Sequence, residues 1–236
     1  MLNDMSRDTA LRFHYILDQL VPPIIRDCRP IMAIPMWLMF RHRYKLYMDF
    51  KEKAFSLTEE EFRGYYKTVS DTAIKRDTDL NKACTQKILQ SIVGGKILDV
   101  GCGRGFLVNL LSQKNSDVSG IDIYIPESLR EKFPQVKFYE GSAEKLPFTD
   151  KYFDTVICTH TLEHVRNLAQ AISELRRVAK QIIIIVPKQR PYKYTFDLHL
   201  NFFPYIYSFL SIMEKTKDEV FCEDVDDDIF YMETVE

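Results

Sequence analysis

The chain has 236 residues, 46% of them hydrophobic and 28% charged, with a formal net charge of −2 and a pI near 6.2. That length can bury a full core and most simply gives one domain with an elaboration, while the near-neutral balance lacks the basic face a polyanion needs, so no nucleic-acid partner is expected. Five scattered cysteines (Cys28, Cys84, Cys102, Cys158, Cys222), none in Cys-x-x-Cys spacing, predict a reducing cytoplasm, with neither a disulfide framework nor a metal centre.

The polar opening, Met1-Leu-Asn-Asp, predicts no secretory signal. Thr9–Leu20 reads as a helix with apolar positions at Leu11, Tyr15, Ile16 and Leu20, stopped by Pro22-Pro23. The most apolar stretch, Pro30–Phe40, is interrupted by prolines and is far short of the ~20 residues a spanning helix needs. Arg41-His-Arg-Tyr-Lys45 follows directly. Two readings stand here: a hydrophobic segment packed on the domain with its basic end solvated, or peripheral membrane contact through residues 30–45. Further helices are expected at Met36–Phe50, Thr58–Val69 and Thr78–Ile92. Thr58 with Glu61 three residues on forms a capping box. Residues 1–90 therefore read as a helical cap or lid, and residues 91–236 as the main domain. Tyr66 and Arg76 on the cap either touch a ligand held by that domain or belong to surface salt links and a turn.

From residue 95 the period changes to alternating short strands and helices, which means a parallel sheet with right-handed crossovers. Strands are expected at 96–100, 117–122, 136–140, 153–158 and 181–186, with helices at 105–114, 126–133 and 167–179. After Pro187 comes an irregular stretch, then a helix near 204–214. Residues 219–225 and 229–235 pair as a terminal hairpin, and the acidic run 223–228 reads as its solvated turn. The fold class is α/β: a Rossmann-like, seven-stranded, mostly parallel sheet with a C-terminal antiparallel hairpin and an N-terminal helical cap.

Residues 96–105, Lys-Ile-Leu-Asp-Val-Gly-Cys-Gly-Arg-Gly, end a buried strand in a glycine turn before the apolar helix that starts at Phe106. Glycines are needed where the backbone takes φ > 0 or lets a ligand approach its N–H groups. This strand edge is where ligands bind in open α/β sheets. A dinucleotide fingerprint would place its third glycine where Phe106 stands, which disfavours a nicotinamide oxidoreductase. His160 and His164 stand four apart, but their Glu does not follow the first histidine and no third ligand is evident, so no metal is expected. Together with His199 they fall at the C-terminal ends of strands four and five, and histidine is the side chain suited to moving a proton near neutrality. His199, on the loop after strand five, is the favoured general base, and His164 the second candidate.

The glycine loop resembles motif I of the class I S-adenosylmethionine (SAM)-dependent methyltransferases, of the methyltransferase type 11-like subgroup. The resemblance continues through Gly120-Ile-Asp122-Ile123, Gly141-Ser-Ala-Glu-Lys-Leu-Pro-Phe148, Phe153–Val165 and Ile182–Pro187, covering roughly residues 90–205 in order. It implies SAM as cofactor, with Asp99, Gly101, Cys102, Gly103 and Gly105 at the methionine end. It likewise implies Asp122 and Ile123 at the ribose, Ser142, Ala143 and Glu144 at the adenine, and Thr159 and His160 beneath the methionine. Ser142 stands where members of the subgroup commonly carry Asp, which turns a charge-assisted bond to the adenine amino group into an ordinary one. Asp197-Leu-His199-Leu-Asn-Phe-Phe203 resembles the subgroup's Asp-x-His-x-x-Phe-Phe stretch.

The activity implied is methyl transfer to an oxygen or nitrogen of a small-molecule or sugar-like acceptor. Thr159-His-Thr-Leu occupies the place of the Asn/Asp-Pro-Pro-Tyr/Phe motif of base and glutamine methyltransferases, so base methylation is not expected. The alternatives are a non-catalytic SAM-binding regulatory protein and a membrane-surface-associated lipid or glycolipid methyltransferase. The oligomeric state is not legible.

Overall fold

The computed structural model describes residues 15–16, 20–70, 77–115, 117–194 and 196–235. The expected helix Thr9–Leu20, His14 and Arg76 lie largely or wholly outside them. The chain divides into two compact units, one of residues up to 76 joined by 189–202, the other of residues 77–188 and 203 onward.

The first unit contains α1 (Pro23–Arg26), α2 (Arg29–Phe40), α3 (Tyr44–Lys53) and α4 (Glu59–Ser70). The expected single helix Met36–Phe50 is a misreading. The apolar Pro30–Phe40 stretch is itself helical: Pro30 sits in the first turn, where its missing N–H costs nothing, and the helix carries Pro35 in its interior at the loss of one backbone hydrogen bond. Arg41 takes a left-handed φ of 51° and ends α2, and a 3-10 turn, Arg41–Arg43, leads into α3. At α4 the capping box forms as expected: Thr58 N–H donates to Glu61 Oε2 at 2.8 Å, and Glu61 N–H to Thr58 Oγ1 at 3.3 Å. Segment 189–202 is tied to these helices by Arg26, which donates to the Pro191 carbonyl at 3.1 Å, and by Asp27, which accepts from Lys193 N–H at 3.0 Å. Lys51 donates to the Tyr192 carbonyl, and its ammonium lies 4.1 Å from the Phe202 ring centre. Burial draws that lysine's pKa down to about 8. Tyr66 packs into an aromatic group with Phe62, ring centres 5.0 Å apart, and Phe50.

The second unit starts with α5 (Lys82–Ser91), capped by Asn81, whose Oδ1 accepts from Cys84 N–H at 2.6 Å. Strands and helices then alternate: β1 (Lys96–Val100), α6 (Phe106–Ser112), β2 (Asp117–Asp122), α7 (Glu127–Lys132), β3 (Lys137–Glu140), β4 (Phe153–Thr159), α8 (Leu168–Val178), β5 (Ala179–Pro187). After α9 (Ile206–Ile212), β6 (Phe221–Val225) and β7 (Asp228–Thr234) close the fold. The seven-stranded sheet runs β3-β2-β1-β4-β5-β7-β6, with β7 antiparallel to β5 and β6 and the rest parallel.

Both faces of the sheet are covered, which is why its central strands read as unbroken apolar runs. Ile97, Ile157, Ile183 and Ile185 pack with Ile88, Leu107 and Leu111 on one face. Leu98, Val156, Ile182 and Ile184 pack with Ile172, Leu175 and Phe209 on the other. One element of the hairpin departs from expectation. Asp226 and Asp227 make the exposed turn with φ of 50° and 67°, but Asp228 is only 1% exposed and begins β7.

Candidate functional site

The glycine loop leaves β1 at the C-terminal edge of the sheet, beside the ends of β2 and β4. In the register Asp99 lies opposite Gly120 on β2 and Ile157 on β4. Gly101 takes φ +76°, and a Cβ there would fall 1.9 Å from Thr161 Oγ1, so the loop closes only with glycine at this position. Thr161 in turn donates to the Val100 carbonyl at 3.2 Å and to that of Thr159 at 3.0 Å, binding the segment after β4 to the end of β1. Gly103 takes φ +48°, and a Cβ there would meet nothing nearer than the Gly101 carbonyl oxygen at 4.0 Å. Gly105 caps α6 at φ 77°.

Two of the sequence-derived acids, Asp99 and Asp122, meet here. Asp122 ends β2, and its Oδ2 accepts from Gly103 N–H at 2.9 Å, which ties the two halves of the site together. Burial raises its pKa, opposed by the N–H groups of Gly103, Tyr124 and Ile123. Asp99 is 2% exposed, and its Oδ1 has no hydrogen-bond partner among the described residues. Burial, and next the charge of Asp122, push its carboxyl up to about 8. Such a group is costly unless something cationic or hydrogen-bonding answers it. Glu144 has a different engagement: its Oε1 accepts from the N–H groups of Arg166 at 2.7 Å and Asn167 at 3.2 Å. Ser142 Oγ accepts from Glu144 N–H at 3.1 Å, and Ala143 is buried in the core. The Cys102 thiol is buried, and burial with Asp122 and Asp99 nearby pushes its pKa well up, so it is a packing group and not a nucleophile.

His160 and His164 follow Thr159 at the end of β4. His160 adopts φ +48° and donates its backbone N–H to the Ile185 carbonyl at 2.9 Å. Its ring lies between two buried carboxylates, with Nδ1 3.5 Å from Glu163 and Nε2 3.6 Å from Asp228. Burial alone would lower its pKa, but the two acids outweigh it and push it up to about 10. Asp228 also accepts from Asn81 Nδ2 at 2.8 Å. Neither Glu163 nor Asp228 was flagged by the sequence, and nothing local to them could have done so. His160 is thus an imidazolium near neutral pH, and its stabilising contribution is fully present below about 6.5 and lost as pH rises through about 10. Denaturant unfolding of wild type and His160→Gln should therefore differ most at or below pH ~6.5 and converge above pH ~10. A difference that does not change with pH would remove the charge from the account. His164 donates its backbone N–H to the Thr161 carbonyl at 3.0 Å and lies near enough to Asp122 to favour that carboxylate's charge.

His199 belongs to the first unit and is 8% exposed. Its Nδ1 is 2.6 Å from Gln189 Oε1, and Gln189 Nε2 donates to the Tyr192 hydroxyl at 2.7 Å. A tyrosine hydroxyl both donates and accepts, so that bond does not orient the amide; the Asp197 carboxylate beside the ring is what favours a proton on Nδ1, with Gln189 Oε1 then accepting it. Asp197 Oδ2 lies 3.4 Å from the same nitrogen.

A mostly parallel sheet with a glycine turn after β1 and an acid ending β2 defines a Rossmann-like α/β domain built to hold a nucleotide-like ligand. Residues 98–184 match the family described as methyltransferase domain. The demethylmenaquinone methyltransferase of Chlorobaculum parvum is 39% identical over 89 residues, 36% of this chain and 36% of that protein. The ubiquinone biosynthesis O-methyltransferase of Paracidovorax citrulli is 33% identical over 100 residues, 39% of this chain and 42% of that protein. The similarity thus spans well under half the length of these curated relatives. A protein of Pyrococcus horikoshii shares the fold, with a TM-score of 0.55 at 22% identity over 66% of this chain and 89% of that one.

Proposed function

We propose that this protein transfers a methyl group from SAM to an oxygen of a small aromatic acceptor of the quinone type. The observation that carries the cofactor assignment is the buried Asp99 carboxylate, with Oδ1 unanswered beside a glycine loop. The names of the two relatives, a demethylmenaquinone methyltransferase and a ubiquinone biosynthesis O-methyltransferase, support a quinone-type acceptor, and the second alone supports its oxygen as the methylated atom.

The residues present fit SAM, which when bound supplies an electrophilic methyl on a sulfonium. Asp99 would hold the ammonium and the N–H groups of the Gly101–Gly105 loop the carboxylate. Asp122 retains acceptor capacity for the ribose hydroxyls beyond its bond from Gly103. Ser142 and Ala143 would flank the adenine. Glu144 would contribute through its backbone, since its carboxylate is occupied by Arg166 and Asn167. His160 serves here as a fixed cation that shapes the floor after β4 with Thr159. His199, protonated on Nδ1 toward Gln189, is the tautomer that takes a proton at Nε2 from an acceptor hydroxyl. The rest of catalysis is alignment of nucleophile and methyl in a dry site, worth up to about 7–11 kcal/mol in the best cases.

Calorimetry tests the cofactor side: SAM and its demethylated product bind and NADH does not. Asp122→Ala weakens binding by about 1.5–3 kcal/mol, the usual range for hydrogen bonds to a charged group. Tight NADH binding, or an Asp122 variant with unchanged affinity, refutes the assignment. Turnover assays with hydroxylated quinols, catechols, sugars and amines test the acceptor. Preference for a sugar or an amine would overturn the quinone reading and leave the cofactor assignment standing.

A further inference from the structure

We infer that the α1–α2 face of the first unit docks on an anionic phospholipid bilayer. On α2, Met32 and Met36 are buried, while Ile31, Ile34 and Leu38 are 46%, 64% and 57% exposed. Spaced i, i+3, i+7, these three share the side of the helix turned away from the methionines. Trp37 beside them is 49% exposed, and Ile24 on α1 is 84% exposed. Single exposed apolar residues are ordinary, but a run of large ones on one helical element marks a contact surface.

Charge selects the occupant. Residues 23–45 carry Arg26, Arg29, Arg41, Arg43 and Lys45 against a single carboxylate, Asp27, in a chain whose net charge is −2. Arg29 is paired with Asp49, Arg26 donates to the Pro191 carbonyl and Arg43 to that of Thr68. Arg41, His42 and Lys45 are exposed at the C-terminal end of the apolar stripe. The Arg41 guanidinium lies 5.3 Å over the Trp37 ring, an aromatic–cation pair suited to the depth of lipid headgroups. A second copy of this face would bring like charges together, whereas anionic headgroups answer them. No helix of the described residues is long and apolar enough to cross a membrane, so the contact is with the surface. The inference does not depend on which acceptor is methylated.

Trp37 is the only tryptophan of the chain and reports directly on this face. With the full chain and phosphatidylcholine vesicles containing phosphatidylglycerol, its emission shifts to the blue and is quenched by brominated acyl chains. Added salt reverses the effect, and pure phosphatidylcholine gives much less. Ile34→Glu with Leu38→Glu lowers partitioning at least about tenfold, and each of Arg41→Glu and Lys45→Glu lowers it about fivefold or more. A circular dichroism spectrum and thermal midpoint unchanged in all of these variants show that they fold. Unaltered Trp37 emission on anionic vesicles overturns the inference, as does equal binding to neutral ones. So does sedimentation showing a dimer that Ile34→Glu with Leu38→Glu dissolves, which would make the occupant a second copy.

Discussion

Turnover of a His199→Ala variant falls about 10²–10⁴-fold, the range for loss of a general base, while its affinity for SAM stays within a few-fold of wild type. The loss is in proton removal, so kcat carries it and the acid limb of the kcat/KM profile disappears. Gln189→Ala gives a milder version: it frees Nδ1 from the acceptor that holds its proton, at 2.6 Å, and so mixes the two tautomers. That variant separates a base from a merely packed histidine, because a structural role would not alter the pH profile. A His199→Ala enzyme with near-normal turnover on its acceptor would mean that alignment alone drives the transfer.

The second large effect is on pH-linked cofactor binding. In the cofactor-free protein burial and Asp122 push Asp99 up to about 8 from an ordinary value of 3.8. On the proposed binding mode the cofactor's ammonium pairs with the ionised carboxylate. Binding below pH ~8 then expels up to one proton, and affinity rises with pH by up to about tenfold per unit, levelling above that value. The same group sets a stability window. A carboxyl with a raised pKa contributes stability that is present below its unfolded pKa of 3.8 and is lost as pH rises through about 8. The cofactor-free protein therefore loses stability on the alkaline side, and the shift in Tm produced by SAM is larger above pH ~8 than near pH ~6. Asp99→Asn flattens both dependences and weakens SAM at alkaline pH about 10–100-fold. Calorimetry near neutral pH in buffers of different ionisation enthalpy decides the matter. If no proton is released, Asp99 does not face the ammonium.

The strands and the glycine loop were legible because each is specified locally. Ile97–Val100 is an unbroken apolar run apart from its acid, and Gly101, Gly103 and Gly105 take the positive φ that the spacing suggests. Asp122 was placed by the resemblance, and β2 ends on it beside the glycine loop. What stayed hidden depends on pairing across the chain. Asp228 read as part of a solvated acidic turn, yet it is buried against His160 because β7 inserts beside β5 and carries it inward. The break at Arg41 was missed for a different reason. The apolar pattern continues through it, and a left-handed φ at arginine has no signature of composition. Tyr66 offered a polar-looking surface in sequence and is packed among rings.

The clamp on His160 has a consequence for the order in which the protein is made. Its two acids are made at different times: Glu163 lies in the same turn, and Asp228 arrives only when β7 pairs with β5. Asn81, which caps α5 and binds Asp228, has by then waited for most of the second unit to be synthesised. A nascent chain that has emerged through β5 holds every glycine of the loop and both Asp99 and Asp122, but its imidazolium has half its counter-charge. Ribosome-bound intermediates should carry the ligand loop in a loosened form, and the competent pocket should appear only as the final hairpin docks.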